Sequence, residues 1–421
     1  MKRTTLTELF VLNAYWIGLS FKWNSLHVLI LPAMLLHFAP DKYKSTYLGL
    51  LTFVGLVIAM ILQPISGATS DRWGSKWGRR RPLIFFGTLF DLVFLAILGW
   101  AGGLLWLVIG YIGLQISSNL AHGPAQGLIP DNVPREQHGV ASGIKNLMDM
   151  SGLVISSLVM GRLLDPNALH PILPMGVLMA VLVLSTGVTL LGVREAPTHS
   201  QSPTSKQMPL IRNPFSITSL QAIQTSYWWL IASRFTFLLG VYGIQVFAQY
   251  YIRDVIDVAN PVKLTGDLLA AITLTLIAFA VAGGWLGDRF GHKRILVAAS
   301  LISAFGCLLL LAARQPNTLL IYGSVFGLGI GLFLTSNWAL ANSLAPRDQA
   351  GQYLGLTNLA TAGAGATSRL NGPIIDLLNN AQPGAFYGYT MLFSFSAVCA
   401  LLSILFLSRL KRAETYAPET S

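Results

Sequence analysis

Twelve long apolar segments run through this chain, at about 9–37, 45–66, 83–101, 103–128, 139–163, 172–193, 227–252, 266–287, 295–313, 317–344, 350–377 and 384–408. A helix needs roughly 20 apolar residues to cross about 30 Å of hydrocarbon. A series of such runs therefore predicts an all-α membrane protein embedded in a lipid bilayer. Composition agrees: 53% of the 421 residues are hydrophobic and 11% are charged, against about 25% charged in a soluble chain. A formal charge of +11 would suggest a nucleic-acid partner for a soluble domain. Here the basic residues have a topological meaning instead. Of the 28 lysines and arginines, 18 fall in one set of loops together with both termini, 6 in the opposite set (with Arg162, at the very end of its span, counted there) and 4 deeper within spans. The positive-inside rule then predicts a multi-pass plasma-membrane (inner-membrane) protein with both termini cytoplasmic. The start "MKRTTLTELF" leads into an apolar run that carries Lys22 and no small-residue cleavage site, so it reads as a first span and not a signal peptide. Cys307 and Cys399 both sit inside apolar runs and suggest neither a disulfide framework nor a metal site. There is no phosphate loop of the G-x-x-x-x-G-K-[ST] type and no nucleophile–base pairing. An ATP-driven pump, an enzyme, catalytic residues and a cofactor are not expected, and a monomer is.

The chain divides as residues 1–193, a linker 194–226 rich in Pro, Ser and Thr, and residues 227–421. Two motifs recur across that divide. Gly67-x-x-x-Asp71-Arg72 returns 217 residues later as Gly284-x-x-x-Asp288-Arg289, each copy after the second span of its half. "PREQHGVASGIKNL" from Pro134 returns 212 residues later as "PRDQAGQYLGLTNL" from Pro346, each between the fourth and fifth spans. Order and membrane side are preserved, so the halves are parallel repeats of six helices. That arrangement, with the Gly-x-x-x-Asp-Arg loop, resembles the major facilitator superfamily, whose members bind substrate near the midplane between halves. The resemblance narrows in "QPISGATSDRWGSKWGRRRPLIFFG", "GLSFKWNSLHVLILP" and "NLAHGPAQGLIPD". These stretches are similar to those of plant sucrose–proton symporters and their animal and bacterial relatives, and "QYYIRDV" resembles the wider glycoside–cation symporters.

The loop residues Asp71, Arg72, Asp288 and Arg289 lie at membrane ends, away from the midplane. There a carboxylate can accept bonds from an Arg or from a helix N-terminus of the other half. They are expected to gate the cytoplasmic side, while Arg79, Arg80 and Arg81 anchor the loop to the membrane surface. The first copy carries four more residues between Asp and the Gly that leads into the basic run than the second (Asp71 to Gly78 against Asp288 to Gly291).

Charges inside spans are costly and usually functional. The chain places Lys22, Asp91, Lys145, Asp149, Arg234 and Arg369 there. Arg234 can also snorkel, and Asp91 can equally make a structural bond. On span four, Tyr111, Gln115, Ser118, Asn119, His122 and Gln126 fall at spacings of 4, 3, 1, 3 and 4, one face of a helix. Such a stripe lines a watery cavity or a packed polar interface; the cavity is the expectation, because neutral donors and acceptors suit sugar hydroxyls. His122 beside a Gly-Pro break can alternatively bond a freed carbonyl. Lys22 and Trp23 in span one, Gln245 and Gln249 in span seven, Asn337 and Trp338 in span ten, and Asn358 in span eleven complete the expected substrate-binding set with Gln115, Asn119 and His122. Apolar packing is the alternative for the tryptophans.

The resemblance also carries departures. Eight residues before the Gly-Pro the sucrose symporters have an Asp tied to proton coupling, and this chain has Gln115; their His after the first extracellular Pro is here Asp41. A proton-coupled protein of this sequence needs another acid, and Asp149, one turn from Lys145, is the candidate. The resemblance thus implies a secondary transporter moving a sucrose-like disaccharide or a monosaccharide by proton symport. The alternatives are a uniporter or an exporter of another small polar solute, or a non-transporting member acting in pigment-complex assembly or ligand sensing.

Overall fold

The computed structural model describes residues 3–193, 225–346 and 349–410. The expected linker, apart from its last two residues, lies outside the described residues. So do Arg347 and Asp348 of the second "PRDQ" motif and the C-terminal tail from residue 411. The described chain is helical throughout, and none of it forms a strand. Ten of its helical stretches are long and apolar enough to cross a membrane: Leu6–Phe38, Asp41–Arg72, Arg81–Gly99, Leu104–Asn132, Ile172–Gly192, Thr225–Ile256, Pro261–Phe290, His292–Ala312, Pro316–Leu344 and Tyr387–Ser408. The fifth span, His138–Leu163, carries Lys145 and Asp149. The eleventh is two helices, Ala350–Ser368 and Asn371–Ala381, joined by a tightened turn in which Arg369, Leu370 and Gly372 bond three residues back. These two complete the twelve.

The repeat reads directly in the packing. Spans two and four pack together, as do eight and ten; one and five, as do seven and eleven; three and four, as do nine and ten; three and six, as do nine and twelve. The halves meet along two symmetry-related seams, span two against span eleven and span five against span eight. Lipid tails are as apolar as leucine, so close helix approach depends on small residues. Gly161 and Gly266 face each other across the five–eight seam, and a Cβ on Gly266 would lie 2.3 Å from the Ser157 carbonyl. Within the first half, a Cβ on Gly123 would lie 2.2 Å from Ser66 Oγ, so spans two and four cross backbone to backbone.

Span one begins with a capping box of Thr5 and Glu8 and widens to a π-turn at Ser25–Ile30. Pro32 follows, and its missing N–H leaves the Val28 carbonyl without its helical donor. The side chain of Gln249, its amide nitrogen facing span one, donates to Val28 O at 2.8 Å and Leu29 O at 3.0 Å. A local break in one half is thereby filled from the other.

Candidate functional site

Apart from the bonds of Gln249 to span one, the side-chain hydrogen bonds and ion pairs that join two described residues of opposite halves lie near the membrane side opposite the termini, here called the far side. Lys44 pairs with Asp254 at 2.7 Å, and Arg253 with Asp41 at 2.6 Å. The Asp376 carboxylate accepts from the backbone N–H groups of Ser45 at 3.2 Å and Thr46 at 2.6 Å, capping the start of span two. Arg162 pairs with Asp267 at 3.0 Å, Asn380 donates to Lys42 O, and Tyr250 donates to Pro32 O. Backbones touch as well: a Cβ on Gly49 would lie 2.3 Å from Arg369 O, and one on Gly372 would lie 2.1 Å from Ser45 O.

Beneath this seal, the first half carries a continuous polar network. Lys22 is fully enclosed, 2.5 Å from Asp91 and bonded to Ser118, and Asp91 also accepts from Ser117. Lys22 thus serves spans three and four in a closed pair, and it is Asp91, not Asp149, that balances it. Trp23 stacks on His27 (4.9 Å between centroids), His27 bonds the Tyr111 hydroxyl at 2.8 Å, and Gln115 donates to the same hydroxyl at 2.7 Å. Asn119 donates to Gln115 O at 2.7 Å and accepts from Gln63 at 2.9 Å; Gln63 also meets His122 at 3.0 Å. The span-four stripe is therefore a packed interface with spans one and two over its buried part, which corrects the expectation of a water-lined face. The amides of Gln115 and Asn119 are occupied by one another and by their neighbours, since a buried amide finds partners wherever it can. His122 bonds a glutamine side chain and meets the edge of Trp16, instead of bonding a carbonyl freed by Pro124. Closer to the termini, Lys145 lies over the Trp16 ring at 3.8 Å, and Asp149 accepts from Ser20 at 2.7 Å. Both are half-buried, and they form no ion pair with each other at this geometry.

The second half contributes arginines. Arg234 is buried and points inward, so it does not snorkel: it donates to Thr361 at 2.9 Å and Asn337 at 2.8 Å and lies 5.8 Å from the Trp338 ring centre. Arg369, equally buried, donates to the Gly365 carbonyl of its own helix. Between spans five, seven, eight and ten is a cavity of about 180 Å³, lined by Met150, Leu238, Leu269, Ile272, Phe326 and other apolar side chains, with Tyr242, Gln245 and Thr273 as its polar points. Gln245 thus faces a mostly apolar space, and Gln249 is committed to span one. Asn358 is exposed. A second, wider groove of about 710 Å³ runs beside Met60, Trp228, Phe235, Leu359 and Phe406.

The loop residues stay within their own halves. Asp71 pairs with Arg80 at 2.5 Å and Asp288 with His292 at 3.3 Å, while Arg72 and Arg289 are exposed. Arg80 is interior and also bonds Asp131 at 2.9 Å; Arg79 shares that carboxylate, and Arg81 donates to Leu190 O. The arginine triplet therefore braces the loop to spans four and six, where surface anchoring was expected.

The sequence-predicted residues fall into three groups. Lys22, Trp23, Gln115, Asn119 and His122 are brought together; Asn337 and Trp338 form a second cluster around Arg234; Gln245, Gln249 and Asn358 join neither. Sequence reasoning missed His27, Gln63, Trp16 and Ser20. His27 sits four residues from Trp23 and five before Pro32, a spacing that could have marked it.

The family model described as "Major Facilitator Superfamily" matches residues 15–369 and 261–420. The multi-drug resistance efflux pump PmrA of Streptococcus pneumoniae serotype 4 is 22% identical over 373 residues, 87% of this chain and 86% of that protein. The multidrug resistance protein MdtG of Enterobacter lignolyticus is 26% identical, over 85% of this chain and 81% of its own. Among solved structures, a bacterial homolog of the human lysosomal transporter Spinster, inward-facing and occupied, superposes with a TM-score of 0.76 at 14% identity, covering 98% of each chain. A D-xylose–proton symporter does so with 0.73 at 14%, covering 96% of this chain and 98% of its own.

Proposed function

Since this chain belongs to the Major Facilitator Superfamily, and so is a transporter and not an enzyme, we propose that it moves an amphipathic organic solute by alternating access, with Asp149 as the proton-coupling acid. The observation that carries the reading is the one-sided seal: ion pairs, an acid-capped helix end and backbone contacts join the halves on the far side alone among described partners. Such a seal must break for solute to leave by the far side, and a transporter of this kind needs two states of comparable free energy. Positive-inside counting supports the terminal side as cytoplasmic, and in that frame this state has its closed side outward. The loop residues Asp71, Arg72, Asp288 and Arg289 would then form cross-half contacts in the opposite state.

A sugar, the solute implied by the resemblance, fits the lining less well. A buried hydroxyl without a partner costs about 1–3 kcal/mol, and the cavity at Tyr242 and Gln245 offers few partners, while the amides of Gln115 and Asn119 are already bonded. The Trp23–His27 stack is the one feature that favours a sugar ring. The names of the multidrug relatives support export and an apolar body. The test is transport by purified protein in proteoliposomes of labelled sucrose, maltose and glucose beside amphipathic probes of both charges, ethidium and 3-phenylpropionate, under pH gradients of either sign. Accumulation of either amphipathic probe in the direction away from the terminal side supports the reading; sucrose uptake driven by protons, without movement of either, overturns it in favour of symport.

A further inference from the structure

Two buried arginines in the second half have no acidic partner among the described residues. Among the described residues neither Arg234 nor Arg369 forms an ion pair, and each is 93% enclosed (7% exposed). Arg234 is bonded only to the neutral groups of Thr361 and Asn337, and Arg369 only to a backbone carbonyl. The Nε of Arg369 and the Nδ2 of Asn337 are buried donors with no acceptor. Both arginines are tied to one helix one turn apart, at Thr361 and Gly365, about 6 Å of rise. No described acid compensates them: in the first half Asp91 is spent on Lys22 and Asp149 stands beside Ser20 one turn from Lys145, and in the second half Asp376 is spent on the start of span two. A cation taken from water without a counter-ion costs several kcal/mol, and inside a membrane such a group usually marks a substrate path. Tyr242 lines the apolar cavity, and Tyr242 and Arg369 Nη1 both flank Gly365, 3.7 and 3.8 Å from where a Cβ there would lie. On span ten, Leu334 lines the same cavity one turn before Asn337, the partner of Arg234. The arginines and their orphan donors therefore border the cavity.

We propose that the solute bears an anionic oxygen group, a carboxylate or a phosphate, received by Arg234 and Arg369, with its apolar body in the cavity between spans five, seven, eight and ten. Guanidinium groups match such oxyanions through paired N–H donors, and the orphan donors of Arg369 and Asn337 supply two of them. The inference deepens the transporter reading and rests on it.

The test uses full-length protein in nanodiscs and a matched set of probes: 3-phenylpropionate and phenyl phosphate as anions, 3-phenylpropanamide as the neutral congener and 3-phenylpropylammonium as the cation. Binding is read by thermal shift and isothermal titration. The anions should bind, and the amide and the ammonium should bind at least about tenfold more weakly, a difference of about 1.4 kcal/mol. Arg369→Gln should abolish the preference. Because that variant can fail to fold, Asn337→Asp is the second arm. It is isosteric and gives Arg234 its own counter-ion, so it should keep the fold and weaken anion binding by about tenfold. Equal or tighter binding of the neutral or cationic congener, unchanged anion affinity in Asn337→Asp, or no anion binding at millimolar concentration overturns the proposal. The two readings fail separately. Anion binding without counterflow in proteoliposomes removes the transport reading and leaves the site, and transport of ethidium without any anion preference does the reverse.

Discussion

Lys22 and Asp91 show how a charge can persist deep in an apolar bundle. Each is fully enclosed, they touch at 2.5 Å, and Ser117 and Ser118 take up the remaining capacity. Removing one partner from such a pair leaves an uncompensated buried charge and costs about 3–5 kcal/mol, whereas replacing both by apolar groups is often near neutral. Asp91→Asn should accordingly lower the melting temperature of purified protein sharply, and Lys22→Met with Asp91→Leu should recover most of the loss. A double variant as unstable as the single one would show that the pair has another role. Asp149 is a different case. It is half-buried beside Ser20, and Lys145 is drawn to Trp16 and forms no ion pair with it. Asp149→Asn should therefore leave the fold intact, abolish pH-driven accumulation and spare solute exchange, since exchange moves no net proton. If accumulation survives at the wild-type level, the coupling acid lies elsewhere; if stability, accumulation and exchange fall together and Lys145→Gln restores all three, Asp149 is a structural partner of Lys145.

Helices here break where function needs a partner from the other half. Pro32 frees a carbonyl in span one and Gln249 of span seven fills it; the turn at Arg369 in span eleven brings its backbone against Gly49 of span two. The neighbouring Gly372 lies so close to Ser45 that any side chain must push the two spans apart. Overpacking of this kind costs about 1–3 kcal/mol, and the cost falls on the sealed state alone, since the contact crosses the halves. Gly372→Val should shift the population toward a far-side-open state. Labelling of a cysteine placed at Thr46 by a membrane-impermeant maleimide should rise several-fold over the same cysteine in the parent. Unchanged labelling would mean that the seal does not depend on this contact.

At the scale of the whole molecule, the two halves meet at the seams two–eleven and five–eight, and the proposed alternating access requires these seams to open and close. Arg162 and Asp267 meet at 3.0 Å across the five–eight seam on the far side. Cysteines at both positions joined by a short bis-methanethiosulfonate, which forms a disulfide with each thiol as methanesulfinate leaves, should hold that side shut, stop transport and release it on reduction, while solute binding from the terminal side persists. The buried Cys307 and Cys399 should not compete for the reagent. Continued transport by a fully cross-linked sample would exclude opening at this seam.

Much of the architecture was legible because the bilayer imposes it. Apolar length marks the spans, basic loops order them, and the recurrence of Gly67-x-x-x-Asp71-Arg72 at Gly284 announces a repeat that the packing of spans one to six and seven to twelve reproduces helix for helix. Hydrophobic length and motif spacing are local properties, so a linear reading captures them. The pairing of polar groups is not local. The stripe on span four is visible as Tyr111, Gln115, Asn119 and His122, yet whether it meets water or Gln63 and His27 depends on how closely spans one and two approach. Nothing in the sequence says which acid answers Lys22, and Arg234 could have reached the surface. Asp91 beside the one, and Thr361 and Asn337 around the other, decide otherwise. Burial makes an unpaired polar group costly, and which partner removes that cost is set by the three-dimensional crossing of helices far apart in the chain.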